Sequence, residues 1–165
     1  MRLAPQETRS YFVTTVTANQ RRLFQVAEVA DLMLEVLQHY RNDRKSAIHG
    51  FVIMPDHLHL LISPASDVSL EKAIQFIKGG FSFQLKASAI VWERGFNEVQ
   101  ICFPEKFETC IRYIEENPVR ERLAAAADEY KFSSAPGKFE VIQSRNISCY
   151  RDSGAEAPSA SRHTS

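Results

Sequence analysis

Residues 51–62, FVIMPDHLHLLI, hold two histidines at i, i+2. Strand side chains alternate between faces, so on a strand His57 and His59 share one face while Leu58, Leu60 and Ile62 share the other. Two imidazoles held side by side can grip a divalent cation, and the aliphatic row behind them supplies a core to anchor the strand. Further along, RYIEENPVR at 112–120 spaces Tyr113 and Asn117 by four. On a helix that spacing puts both on one face, roughly 5–6 Å apart at Cβ. A histidine pair, a phenol and a side-chain amide are together equipped to hold a cation and attack a phosphodiester. Each feature also has a plainer reading. An HxH pair fits exposed or core histidines, a helical tyrosine fits core packing, and an Asn before a Pro fits a helix stop. No Cys or further His is spaced to complete a tetrahedral zinc site, so oxygen donors with Mg²⁺ or Mn²⁺ suit the pair better. Asp56, adjacent to His57, can orient it.

The elements that must position these groups follow from periodicity. Residues 11–17 are β-branched and aromatic, a first strand. Residues 24–40 carry apolar side chains at helical intervals, residues 45–54 form a second strand, and Pro55 marks a bend before the third strand at 57–63. A second helix is expected over 69–87, with a kink possible at Gly79-Gly80. Short strands are expected at 89–92 and 99–103. Pro104 opens a third helix, which should end near Asn117 because the residue before a proline disfavours helical geometry. Strands interleaved with helices make an α+β domain, helices layered on a mostly antiparallel sheet. The domain is expected to span 1–150, with a disordered polar tail at 151–165.

Composition narrows the function classes. Lys plus Arg and Asp plus Glu each total 20, giving zero net charge, which argues against a strong indiscriminate DNA binder. Local basic groups remain as candidate DNA-phosphate contacts: Arg112, Arg120 and Arg122 flank Tyr113, and Lys78 lies on the second helix. The three cysteines have no CxxC spacing and suit a reducing cytoplasm. No apolar run is long enough to span a membrane, and no signal segment follows Met1, so a cytoplasmic location is expected.

PDHLHLL, IKGGFS, VWERGFNE, RYIEENPVRERL and YKFSSA, in this order, resemble the REP-associated tyrosine transposases, a branch of the single-tyrosine HUH transposases of bacterial insertion sequences. The resemblance covers about residues 11–135. It implies a ferredoxin-like or RRM-like antiparallel sheet with helices packed on one face and the histidines on a central strand. It also implies a metal-dependent single-stranded DNA endonuclease and strand transferase that nicks near hairpins through a 5′-phosphotyrosine. By position, Tyr113 would be the nucleophile and His57, His59 and Asn117 the ligands of Mg²⁺ or Mn²⁺. The implied partner is single-stranded DNA with imperfect palindromes, bound by a monomer or homodimer. Gln100 stands where many relatives carry arginine, and Glu121 where they carry a small residue. A non-catalytic hairpin-DNA binder and a phosphoesterase using water are the competing readings.

Overall fold

The computed structural model describes residues 9–135. The C-terminal reach of the domain to residue 150 and the tail at 151–165 lie outside the described residues. Four strands form one antiparallel sheet: β1 (Ser10–Val16), β2 (Ser46–Ile53), β3 (His57–Pro64) and β4 (Asn97–Ile101). Their spatial order is β2-β3-β1-β4, so β3 and β1 are central. Met54 N–H donates to the His57 carbonyl at 2.8 Å across the Pro55 bend. That closes a tight hairpin and sets Leu60 opposite both Phe51 and Val13.

Alternation along these strands separates two cores. Val13, Ile48, Phe51, Ile53, Leu58, Leu60 and Ile62 face α1 (Ala27–Asn42) and α2 (Leu70–Gln84), which bring Met33, Leu37, Ile74, Ile77 and Phe81. Val52, Met54, Leu61 and Ile101 face the other way, toward Phe107 and Ile114 of α3 (Pro104–Arg120). The two helices α1 and α2 thus share one face, and α3 crosses the opposite face, the one that carries the histidines. Gly50 lets α3 come close, since a Cβ there would lie 2.9 Å from Ile111 Cδ1. A bulge between Ile48 and Gly50 shifts the register at the same place.

Several element boundaries differ from the sequence reading. α1 begins at Ala27 rather than at 24, because a 3₁₀ turn (Leu23–Gln25) intervenes. Phe24 N–H is drawn to the Pro55 carbonyl at 3.0 Å, and its ring packs against Phe81 and Trp92. α2 starts where Ser69 caps the Lys72 N–H and runs without a break through Gly79-Gly80. It stops before Lys86, which takes a left-handed conformation. Residues 89–92 form no strand; only Trp92 bridges to Thr17, since β1 has ended and the chain turns away at Ala18–Gln20. β4 sits two residues earlier than expected, and Phe103 becomes the residue that opens α3. α3 does not end at Asn117 but continues to Arg120 with Pro118 inside. The missing Pro118 N–H costs one helical bond near the end, where Asn117 and Pro118 are both buried and Leu123 N–H closes onto the Pro118 carbonyl.

Candidate active site

The histidine face of β3 and the Tyr113 turn of α3 meet at one end of the sheet. His57 and His59 stand side by side, ring centroids 4.7 Å apart. Tyr113 reaches His59 edge-on at 5.6 Å. Phe12, from the neighbouring strand, lies beneath, stacked on His59 at 5.2 Å and edge-on to Tyr113 at 5.7 Å. This follows from register: Phe12 and Thr14 of β1 point to the same face as His59, and Thr14 is its direct cross-strand partner.

Both imidazoles are held through Nδ1. Asp56 Oδ1 lies 2.6 Å from His57 Nδ1, and Thr14 Oγ1 lies 2.9 Å from His59 Nδ1. His59 is only 6% exposed. Burial, assisted by the neighbouring His57, pushes its pKa down from 6.5 to about 4, so its ring is neutral at pH 7. A neutral imidazole whose Nδ1 is engaged leaves Nε2 for other work, and this is the state a metal ligand requires. Two imidazoles, each with Nδ1 engaged, are donors that fit a divalent cation. Among the described residues, no group of three or more His, Cys, Asp or Glu side chains is placed to hold an ion.

Asn117 lies one turn beyond Tyr113 on α3 and is buried. Arg120 lies over the Tyr113 ring at 5.1 Å and pairs loosely with Glu116 at 3.9 Å. Arg112 and Arg122 are exposed on and just after the same helix. Lys78 is placed elsewhere. It projects from α2, on the aliphatic side, where its ammonium donates to the Glu93 and Gly95 carbonyls at 2.9 and 2.8 Å. It lines a groove of about 670 Å³ with Ile90, Trp92 and Phe96.

Phe12 and Thr14 were not singled out by the sequence; only strand register reveals them, although TT in a β-rich run is a weak signal. A further histidine, His49, is also on this face. It is buried against Phe107, with Nε2 2.8 Å from Ser63 Oγ, which in turn bonds Ser10 Oγ at 2.7 Å.

The site thus joins a histidine pair on a central strand of an antiparallel sheet to a tyrosine-bearing helix laid over it. Residues 6–117 match the family model described as "Transposase IS200 like", and the chain belongs to that family. The fold superposes on that of a REP-associated tyrosine transposase bound to a REP hairpin, with TM-score 0.69 and 19% identity over 92% of this chain and 94% of that one. It also superposes on a protein described as a transposase from Deinococcus radiodurans R1, with TM-score 0.52 and 17% identity over 70% of this chain and 96% of that one. At such identities the likeness is one of fold. No curated protein matches the sequence. No described helix is long and apolar enough to cross a membrane.

Proposed function

We propose that this transposase acts as a metal-dependent single-stranded DNA endonuclease and strand transferase, with Tyr113 as nucleophile. The observation that carries the reading is the meeting of Tyr113 with the histidine pair, 5.6 Å from ring to ring, at a place where His59 is neutral. His57, His59 and Asn117 would hold Mg²⁺ or Mn²⁺. A divalent cation held by these residues would supply Lewis-acid polarisation of the phosphate oxygens.

The protein's own part is positioning and proton handling. Phe12 packs edge-on to the Tyr113 ring and Arg120 lies over it, limiting the ring's motion. Tyr113 gains nucleophilicity as its phenolic proton passes to water. The oxygen then bonds to phosphorus and the P–O3′ bond breaks. The leaving 3′ oxygen takes up a proton, giving a free 3′-OH and a 5′-phosphotyrosine. One P–O ester replaces another, so a later attack by a 3′-OH rejoins strands without an external energy source. Arg120 also presents a guanidinium to the phosphate, with Arg112 and Arg122 along the approaching strand. Lys78 would touch DNA only on the far side of the domain.

The preferred substrate is single-stranded DNA beside an imperfect palindrome. The REP hairpin bound to the solved relative and the zero net charge both favour a shaped ligand over random duplex. The test is trapping. Wild-type protein with Mn²⁺ and a 3′-labelled hairpin oligonucleotide gives a covalent adduct on a denaturing gel, and Tyr113→Phe gives none. An adduct of equal yield from the variant overturns the assignment.

A further inference from the structure

The two histidines are oriented by different chemistry. A carboxylate only accepts hydrogen bonds, so Asp56 commits His57 to carry its proton on Nδ1 and its lone pair on Nε2. A hydroxyl both donates and accepts, so the bond between Thr14 Oγ1 and His59 Nδ1 is compatible with either tautomer of His59. Neutral imidazole free in water favours the proton on Nε2, which would point a hydrogen where a cation needs a lone pair. His59 is the more buried ring, and among the described residues no carboxylate bonds to it: Phe12 lies on one side, His57 and Tyr113 at its edges, and Thr14 at Nδ1.

We propose that Thr14 is a positioning residue for the histidine pair: its hydroxyl accepts the Nδ1 proton of His59, leaving Nε2 of that ring, like Nε2 of His57, as a lone pair for a divalent cation. This rests on the metal-dependent reading above. The register supplies the second support. Thr14 is the direct cross-strand partner of His59 on a central pair of strands, so the hydroxyl is delivered by backbone geometry and not by a mobile loop. Valine would serve the strand as well as threonine does; the hydroxyl is what the strand does not need.

Thr14→Val removes the hydroxyl at constant shape, and Thr14→Ser restores it. Two measurements apply to each: the ¹⁵N shifts of the His59 ring at pH 7 without metal, and Mn²⁺ affinity by calorimetry. Wild type and Thr14→Ser are expected to show the Nδ1–H tautomer. Thr14→Val should move His59 toward Nε2–H and lose about 10–100-fold in Mn²⁺ affinity, the usual effect of removing a group that orients a ligating histidine. An Nε2–H ring in the wild type overturns the proposal, and needs no variant to fold. So does a Thr14→Val protein that keeps the Nδ1–H tautomer and binds Mn²⁺ within about twofold of wild type. Failure of the wild type to bind Mn²⁺ while His59 stays Nδ1–H would instead remove the metal reading on which the proposal stands.

Discussion

The two faces of the sheet are built from different materials. Toward α1 and α2, strands β2 and β3 bury Phe51, Ile53, Leu58, Leu60 and Ile62 against Met33, Leu37, Ile74, Ile77 and Phe81. Toward α3, the apolar cluster is smaller, and at one end it gives way to Phe12, His57, His59 and Tyr113. Burying an imidazole is costly, and the depressed pKa of His59 is a direct expression of that cost. A strand shared by both faces spreads the work: the aliphatic side fixes the backbone of β3, and the fixed backbone aims the imidazoles. Stability and chemistry are thus separated by strand alternation, one residue apart along the same strand.

That separation is broken most completely by Tyr113→Phe. Loss of one oxygen from the α3 face should lower adduct formation by about 10³-fold or more while leaving thermal stability close to wild type. The reciprocal experiment is on the other face. Leu60→Ala, one residue from His59 and fully buried, should cost about 2–5 kcal/mol in denaturant unfolding. His57→Ala, half-exposed, should cost far less but abolish nicking. Equal losses of stability from the two substitutions would show that the faces are not distinct in this way.

Acid probes the same asymmetry. His59 binds its proton near pH 4 in the folded chain but near 6.5 when unfolded. Between those values the unfolded state holds the extra proton, so stability falls as pH falls through this window and rises as pH rises. At about 1.4 kcal/mol per pH unit the loss amounts to about 3 kcal/mol, an upper figure. Urea titrations in chelator at pH 7 and pH 4.5, with His59→Gln as reference, check it. An unchanged slope in the variant would show that some other group carries the acid sensitivity.

The histidine face was legible because period-two alternation is a local property, and LHLLI carries it whole. The helix under Tyr113 was legible for the same reason, and its i, i+4 partner came with it. Thr14 and Phe12 were not, because they reach His59 through the pairing of strands that lie 45 residues apart. The dipeptide Asn117-Pro118 alone predicts a helix end, but burial of both residues outweighs one absent hydrogen bond in a helix with a single turn left. The strand expected at 89–92 failed for want of a partner beyond Thr17. Lys78 reads from sequence as a candidate DNA contact, and tertiary contacts with two carbonyls hold it on the side away from the histidines.

The smallest expected effect measures how tightly the aliphatic side is closed. Gly79 and Gly80 are adjacent in α2, and both weaken a helix interior by roughly 0.5–1 kcal/mol relative to alanine. A Cβ on Gly79 would meet nothing within 4 Å, whereas one on Gly80 would lie 2.8 Å from the Tyr40 ring and hydroxyl. Tyr40 is stacked on Phe76 at 6.1 Å, so moving it disturbs the contact that ties α1 to α2. Gly79→Ala should therefore stabilise the protein by roughly 0.5–1 kcal/mol. Gly80→Ala should gain the same helix propensity and lose it again, wholly or in excess, to displacement of Tyr40. Nicking should be unchanged in both, since neither residue reaches the α3 face. Matched gains in the two unfolding midpoints would mean that α1 and α2 are packed loosely enough to accept a methyl group, and the aliphatic face would lose its claim to be the rigid one.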